Sequence, residues 1–252
     1  MVSWEVWIHR RYVICRISPS GEHNRINESC WQGTGSKERF QRESCPWLNP
    51  QMKLTAHVLS LTAKLISGAS VRWMDCDPEN YQRVYFANHT SHLDALVLWA
   101  SLPRHIRMLT RPVAARDYWE KTWLRRHIAS QLNVVLIDRK DIKIHKSPVQ
   151  IMINGMGDSH SLIVFPEGRR NTGEEMIEFK SGLFHLAKKR PDLELVPVFM
   201  DNLNRVLPRG EFLPVPLLSC ITIGPPIWLE KDENKLDFLE RARESVQRLK
   251  EI

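Results

Sequence analysis

Three features are scarce or absent in this sequence of 252 residues, and each absence narrows what the protein can be. The five cysteines form no Cys-x-x-Cys pair and no metal-like spacing with histidine, which favours free thiols in a reducing compartment. No run approaches the roughly 18 apolar residues that a transmembrane helix needs. No DNA-binding or RNA-binding motif is present in the sequence, so we expect no nucleic-acid partner.

Positive charge, by contrast, is plentiful, and it is concentrated in one part of the chain. The formal net charge is +7, and residues 101–150 hold 11 Lys/Arg against 4 Asp/Glu. A local basic block of this kind indicates an anionic partner, such as a phosphate ligand or a lipid headgroup surface. A solvated helix face is the alternative interpretation. The length is sufficient for one large α/β domain or two small ones.

The N-terminal fifth of the sequence differs in pattern from the rest. Residues 1–51 contain Gly/Ser/Asn clusters and three of the five cysteines, and no helical or alternating period persists in them. We predict that they form a disordered or misassigned extension, with Met52 as the natural start; a small irregular subdomain is the alternative. Residues 52–69 then carry apolar side chains at helical spacing, which predicts an amphipathic helix that either packs on the core or lies in a membrane surface.

From residue 84 onward, strand-like and helix-like segments alternate. The predicted strands cover residues 84–87, 133–137, 162–165, 194–199 and 220–224, with a further strand around 108–109. The predicted helices cover residues 91–102, 117–128, 147–155, 180–189 and 236–249. This alternation predicts an α/β domain around a central sheet. Because open α/β sheets bind ligands beyond their strand ends, the polar segments that follow the predicted strands are candidate site residues.

Two of these polar segments carry the chemistry. In residues 88–94, NHTSHLD, His89 lies five residues before Asp94, so the carboxylate can hold one ring nitrogen and leave the other as a base. His92 lies in the same turn and is a competing candidate. In residues 162–171, LIVFPEGRRN, a predicted strand leads into a turn whose arginines can pair with phosphate.

Together, these segments resemble the glycerolipid acyltransferases, in particular the 1-acylglycerol-3-phosphate acyltransferases, which share the pattern His-x4-Asp followed by Phe-Pro-Glu-Gly. The resemblance covers about residues 70–225 and implies a central mixed sheet flanked by helices. The family pattern continues Thr-Arg-Ser, where this chain has Arg169-Arg170-Asn171. The resemblance implies catalytic roles for His89 and Asp94, and substrate-binding roles for Arg139, Glu167, Gly168 and Arg170.

The same resemblance implies a reaction and its partners. A fatty acyl group would pass from acyl-CoA or acyl-carrier protein to the free hydroxyl of 1-acylglycerol-3-phosphate, giving phosphatidate, with no metal or cofactor. The protein would be peripheral or monotopic on the cytoplasmic face of a membrane, held by the basic block and the helix at residues 52–69. The alternatives are an acyltransferase for another lyso-lipid or glycerol 3-phosphate, and a non-catalytic lipid-binding protein of the same fold.

Overall fold

Short apolar segments of the chain pair into one mixed sheet in the computed structural model, which describes residues 58–64, 68–79, 81–138, 147–171, 173, 175–201 and 219–251. Within these residues the sheet has seven strands: β1 Ser70–Trp73, β2 Arg83–Ala87, β3 Thr110–Ala115, β4 Val135–Ile137, β5 Ser161–Val164, β6 Glu194–Asp201 and β7 Cys220–Ile223. Their spatial order is β1-β7-β6-β2-β5-β3-β4.

Helices connect and cover these strands. The described helices are α1 at residues 58–64, α2 Asp94–Ser101, α3 Arg104–Arg107, α4 Arg116–Trp119, α5 Trp123–Gln131, α6 Pro148–Met156, α7 Gly182–Lys189 and α8 Lys235–Arg248. None of the described helices is both long enough and apolar enough to span a bilayer. The predicted α/β class, with a central mixed sheet flanked by helices, is confirmed.

The direction of the strands determines where a site can form. β2 pairs in parallel with both β5 and β6, and β3 pairs in parallel with β5 and β4. β7 is antiparallel to β6, and β1 is parallel to β7. The carboxyl ends of β2 to β6 therefore meet along one edge of the sheet, which is where α/β proteins bind their ligands.

β2 lies at the centre of the sheet and is covered on both faces. All five of its residues are buried, as expected for a strand covered by helices on each side. Tyr85 and Ala87 belong to one hydrophobic cluster, together with residues of α1, α2 and the end of α5. Val84 and Phe86 belong to a second cluster with α6, α7 and α8. Full burial of each large side chain contributes about 1.5–3 kcal/mol to stability.

Several predicted boundaries shift in the structure. The strand expected around residues 108–109 begins at Thr110, and α2 begins at Asp94 rather than residue 91. The helix expected over 117–128 is divided into α4 and α5, because Thr122 is extended and its side chain caps the new helix by accepting from the Arg125 N–H. β1 was not predicted, since half-buried and exposed residues alternate along this short edge strand.

The N-terminal predictions are described only in part. Residues 1–57 lie outside the described residues, so the proposed start at Met52 and the extension before it stay predictions. Of the predicted helix 52–69, residues 58–64 are helical. There Ser60 and Ala63 are buried, whereas Val58 and Leu61, which belong to the predicted apolar stripe, are exposed.

Candidate active site

The two motifs meet because β2 and β5 are neighbours. Their parallel register pairs Phe86 with Val164, so the segments that follow leave the sheet side by side. The His89 backbone N–H donates to Glu167 Oε1 at 3.0 Å. The His89 carbonyl accepts from the Asn171 N–H at 2.6 Å. Two segments about 80 residues apart in sequence are thus joined through the main chain of the histidine.

The ring of His89 is oriented by Asp94. His89 Nδ1 lies 2.9 Å from Asp94 Oδ2. Since an ionised carboxylate only accepts hydrogen bonds, this contact assigns the proton to Nδ1 and leaves Nε2 as a basic nitrogen. Nε2 has no hydrogen-bond partner among the described residues, and the side chain, 22% exposed, lines a cavity.

Asp94 is itself tightly held. Its side chain is fully buried, and Oδ2 also accepts from the backbone N–H groups of Thr90 at 2.7 Å and Ser91 at 2.9 Å. It is the first residue of α2, where the helix dipole favours a negative charge. Because only five residues separate His89 from Asp94, Asp94 Oδ2 can bond both the His89 ring and the backbone of the turn that carries this ring.

Phe165 supports the other side of the imidazole. The two rings stack with centroids 4.3 Å apart and planes 24° from parallel. Phe165 directly follows β5, so the sheet positions the residue that covers one face of the His89 ring. Asp94 of α2 holds the edge of the same ring. The orientation of His89 is therefore determined by two separate elements of the fold.

Glu167 lies behind the His89 turn. It is fully buried and does not belong to the residues that line the cavity. Its Oε1 holds the His89 backbone, and Oε2 has no partner among the described residues. Burial, followed by the charge of Asp94, raises the pKa of Glu167 from 4.5 to about 7, although the His89 N–H and Arg169 oppose this. This geometry shows Glu167 holding the backbone of His89, and the predicted role of Glu167 in substrate binding stays a prediction.

Gly168 makes the turn that brings the arginines to the cavity. Its φ is +70°, in the left-handed region that favours glycine. Its N–H donates to the Phe165 carbonyl at 3.0 Å, which closes the turn, and Lys180 donates from its backbone to Pro166 at 2.8 Å. Arg169 and Arg170 follow, and both line the cavity.

The cavity, of about 960 Å³, is lined at its rim by polar side chains that are mostly exposed and along its wall by apolar side chains that are mostly buried. Its size is at the upper end of the range typical of ligand sites, about 300–1,000 Å³. The cationic or potentially cationic lining residues are His89, His92, Lys121, Arg169, Arg170, Lys180 and His185. The apolar lining residues include Val113, Ile137, Val149, Met152, Val164, Ile177 and Leu183. This division fits a ligand with an anionic group at one end and an aliphatic chain at the other.

The structure adds a contact at His92 that the sequence did not predict. His92 Nδ1 shares a hydrogen bond of 2.7 Å with the Tyr118 hydroxyl, and the two rings stack at 5.1 Å. The guanidinium of Arg125 lies 4.2 Å from the centre of the Tyr118 ring. Partial burial, followed by the charges of Arg170 and Arg125, lowers the pKa of His92. His92 is therefore engaged by Tyr118, whereas His89 is engaged by a carboxylate, which favours His89 as the base.

Arg139, the remaining predicted substrate contact, lies outside the described residues. The residue before it, Asp138, forms an ion pair with Arg116 at 3.0 Å. Among the residues that the structure describes, no group of three His, Cys, Asp or Glu side chains is arranged to hold a metal ion.

Comparison with known proteins gives concordant similarities. A family model described as Acyltransferase matches residues 73–201. A 1-acyl-sn-glycerol-3-phosphate acyltransferase of Limnanthes douglasii is 25% identical over 72% of this chain and 64% of its own length. The alpha form of Ovis aries is 31% identical over 67% of this chain and 58% of its own. The chain thus spans less than two thirds of these relatives.

A solved structure shares the fold. The crystal structure of the 1-acyl-sn-glycerophosphate acyltransferase from Thermotoga maritima matches with a TM-score of 0.61 and 18% sequence identity. The match covers 80% of this chain and 81% of that chain. At this identity the likeness concerns the arrangement of helices and strands alone.

Proposed function

Because this chain belongs to the acyltransferase family, as its two motifs predicted, we propose that it is an O-acyltransferase. It transfers a fatty acyl group from a thioester donor to the free hydroxyl of 1-acylglycerol-3-phosphate, giving phosphatidate. The observation that carries the proposal is the His89 ring, held by the buried Asp94 and presented to a cavity that is cationic at its rim and apolar along its wall. The names of the similar proteins support the choice of acceptor.

In the proposed reaction, His89 acts as a general base and then as a general acid. Nε2 takes the proton of the acceptor hydroxyl as its oxygen attacks the thioester carbonyl carbon. The new carbon–oxygen bond gives a tetrahedral intermediate, and cleavage of the carbon–sulfur bond releases a thiolate that takes the proton from Nε2. Asp94 stabilises the imidazolium that exists between the two proton transfers. No protein nucleophile is needed.

The cavity lining suggests how the acceptor and the acyl chain are held. Arg169, Arg170 and Lys180 bring three positive charges to the cavity, where guanidinium groups can pair bidentately with a phosphate. Arg139 is proposed to join them, as the family resemblance implies. The apolar wall between β3, β5, α6 and α7 would hold the acyl chain, whose burial contributes about 0.8 kcal/mol per methylene.

The donor and the location belong to the proposal as well. The thioester donor is acyl-CoA or acyl-carrier protein. A peripheral or monotopic position on the cytoplasmic face of a membrane would bring the site to its lipid acceptor. The exposed Val58 and Leu61 of α1 and the basic excess of residues 101–150 support this position.

The decisive experiment measures CoA release from a long-chain acyl-CoA by the full chain, with and without 1-acylglycerol-3-phosphate. We expect release that depends on the acceptor and falls by at least about 100-fold in His89→Ala. His105→Ala is the matched control, because this exposed histidine hydrogen-bonds the Pro78 carbonyl and does not line the cavity. Circular dichroism would verify that both variants fold.

Two outcomes of this experiment, repeated with other acceptors and with acyl-carrier protein as donor and joined to a lipid-binding assay, would redirect the proposal. Release that requires glycerol 3-phosphate or another lyso-lipid instead would keep the mechanism and change the acceptor. Lipid binding with no turnover of either acyl-CoA or acyl-carrier protein would replace the enzyme with a lipid-binding protein of the same fold. Near-normal rates in His89→Ala would contradict the assignment of the base.

A further inference from the structure

The first turn of α5 presents large apolar side chains to solvent. Trp123 is 73% exposed and Leu124 is 52% exposed, and Trp123 is the most exposed large hydrophobic residue in the described part of the chain. Neither contributes to the two core clusters. Adjacent exposed apolar side chains that are rimmed by polar residues indicate an interaction surface.

The surrounding charge is positive. Residues 116–127 contain four Lys/Arg and two Asp/Glu. Glu120 is paired with Arg116 at 2.8 Å, whereas Lys121 and Arg126 form no ion pair within the described ranges. The segment thus offers cationic side chains beside Trp123, a combination that suits an anionic lipid surface, where tryptophan lies at headgroup level and lysine or arginine pairs with phosphate.

The same segment is continuous with the rim of the cavity. Tyr118, Trp119 and Lys121 line the cavity, and Lys121 is exposed, so it lies at the rim, two residues before Trp123. The far end of α5 is anchored, because Ile128 and Leu132 pack on the cluster that also holds α2. The Thr122 cap fixes the near end. A surface bound at Trp123 would therefore be held next to the cavity.

We propose that residues 121–126, which we call the α5 tip, dock on an anionic lipid bilayer. Trp123 and Leu124 enter the interfacial layer, and Lys121 and Arg126 pair with lipid phosphates. This contact places the rim at the depth where a lysophospholipid can leave the bilayer and enter the cavity. The inference rests on the proposed function for its lipid acceptor, but docking itself requires no turnover.

α1 offers a second apolar point on the same side of the sheet. Its exposed Val58 and Leu61 lie on a helix whose Ala63 belongs to the cluster that receives Ile128 of α5. Contact through both helices would orient the protein, whereas contact through α1 alone would leave it free to rotate. The α5 tip is in this view the element that directs the cavity to the bilayer.

The test is co-sedimentation of the full chain with vesicles of phosphatidylglycerol and phosphatidylcholine. The double variant Trp123→Ser/Leu124→Ser should weaken binding by about 10- to 100-fold, since two apolar side chains lose their lipid contact. Trp228→Ser is the matched control, because Trp228 is also exposed, at 44%, but lies after β7. It should bind like the unaltered chain.

Several results would overturn the proposal. They are unchanged vesicle binding by the double variant, an equal loss in Trp228→Ser, and normal vesicle binding with a selective loss of turnover from acyl-carrier protein. The last would assign the α5 tip to an acidic protein donor. Because sedimentation needs no reaction, failure of the CoA-release assay with intact, tip-dependent binding would reject the proposed function and retain the docking surface.

Discussion

At the scale of single residues, His89 is restrained at four points. Its ring is bonded to Asp94 and stacked on Phe165, its N–H is bonded to Glu167, and its carbonyl accepts from Asn171. A general base works only when its free nitrogen is aimed at the substrate proton, so each restraint favours reaction by reducing misdirected orientations. Two of the four restraints act on the main chain of His89. A sequence motif, which specifies side chains, does not predict these two hydrogen bonds.

Glu167→Gln tests the supporting role of Glu167. The amide oxygen can still accept from the His89 N–H, so we expect transfer activity to remain within about tenfold of the unaltered chain. The variant should lose one source of pH dependence in stability. Burial raises the pKa of Glu167 from 4.5 in the unfolded reference to about 7 in the folded protein. Between these values the folded state binds more protons, so stability falls as pH rises.

The measurement is urea unfolding of both proteins at about pH 4.5, 6 and 8. Relative to the unaltered chain, Glu167→Gln should gain stability across this range, by about 2–4 kcal/mol in total, and show little further change above pH 7. Glu251→Gln, at an exposed position, should show no such trend. A stability difference that is constant with pH would mean that the pKa of Glu167 is the same in the folded and unfolded states, and would contradict the raised pKa.

At the scale of elements, the site depends on the loops that follow β2 and β5. Hydrogen bonds outside the sheet hold these loops in place. Asn88 follows β2, and its side-chain amide bonds the Met200 backbone of β6 twice, donating at 2.9 Å and accepting at 2.8 Å. The turn after β5 is closed through Gly168. Both loops are thereby held by hydrogen bonds where they carry His89 and the cationic side chains, as the proposed site requires.

Gly168→Ala tests the turn after β5. A left-handed alanine costs about 1–2 kcal/mol, and its Cβ would approach Lys180 Cγ at 3.2 Å. We therefore expect a stability loss of about that size, and a larger relative loss in acceptor affinity because Arg169 and Lys180 both move. Gly182→Ala is the control for stability alone: no atom lies within 4 Å of the added Cβ and its φ is not positive, but Gly182 lines the cavity.

Thermal unfolding would be compared for the two glycine variants, and the KM for the acceptor would be compared between Gly168→Ala and the unaltered chain. Gly182→Ala should be neutral or stabilising by less than about 0.5–1 kcal/mol, the helix-interior value, because Gly182 is the first residue of α7. Equal stability of the two variants, with an unchanged KM in Gly168→Ala, would show that the turn after β5 tolerates an ordinary residue and does not position the arginines.

At the scale of the whole molecule, charge and apolar exposure are distributed unevenly. The net charge of the whole chain is +7, and Lys/Arg exceed Asp/Glu by the same number within residues 101–150 alone. This segment includes α4 and α5 beside the cavity. Long-range attraction to an anionic surface would therefore orient the protein before short-range apolar contact holds it. The two forces have different salt dependence, which makes them separable.

Raising the salt concentration from about 0.05 M to about 0.5 M should weaken binding to anionic vesicles, because the Debye length falls well below 10 Å. Binding to phosphatidylcholine vesicles should be weaker at the outset and change little with salt. The measurement is sedimentation of the unaltered chain across a salt series. Salt-independent binding to anionic vesicles would leave the basic segment without a role in docking.

The sequence by itself was sufficient for the features that are local. Apolar runs and helical periods predicted most of the strands and helices, since each depends on neighbouring residues. The His89–Asp94 contact falls in the same class, because a separation of five residues within one turn keeps the two side chains within reach. The identity of the family also followed from two short motifs, in accordance with the match to residues 73–201.

Only the tertiary structure decided what depends on packing between distant segments. Three features depend on residues that are far apart in the chain. They are the placement of β2 beside β5 and β6, the burial of Glu167, and the contact of His92 with Tyr118. From the motif alone, Glu167 could either contact the substrate or lie buried and hold the backbone of His89. The solvent exposure of its side chain bears on this choice. Exposure is a property of the assembled sheet and helices, as are the cavity and the outward position of Trp123.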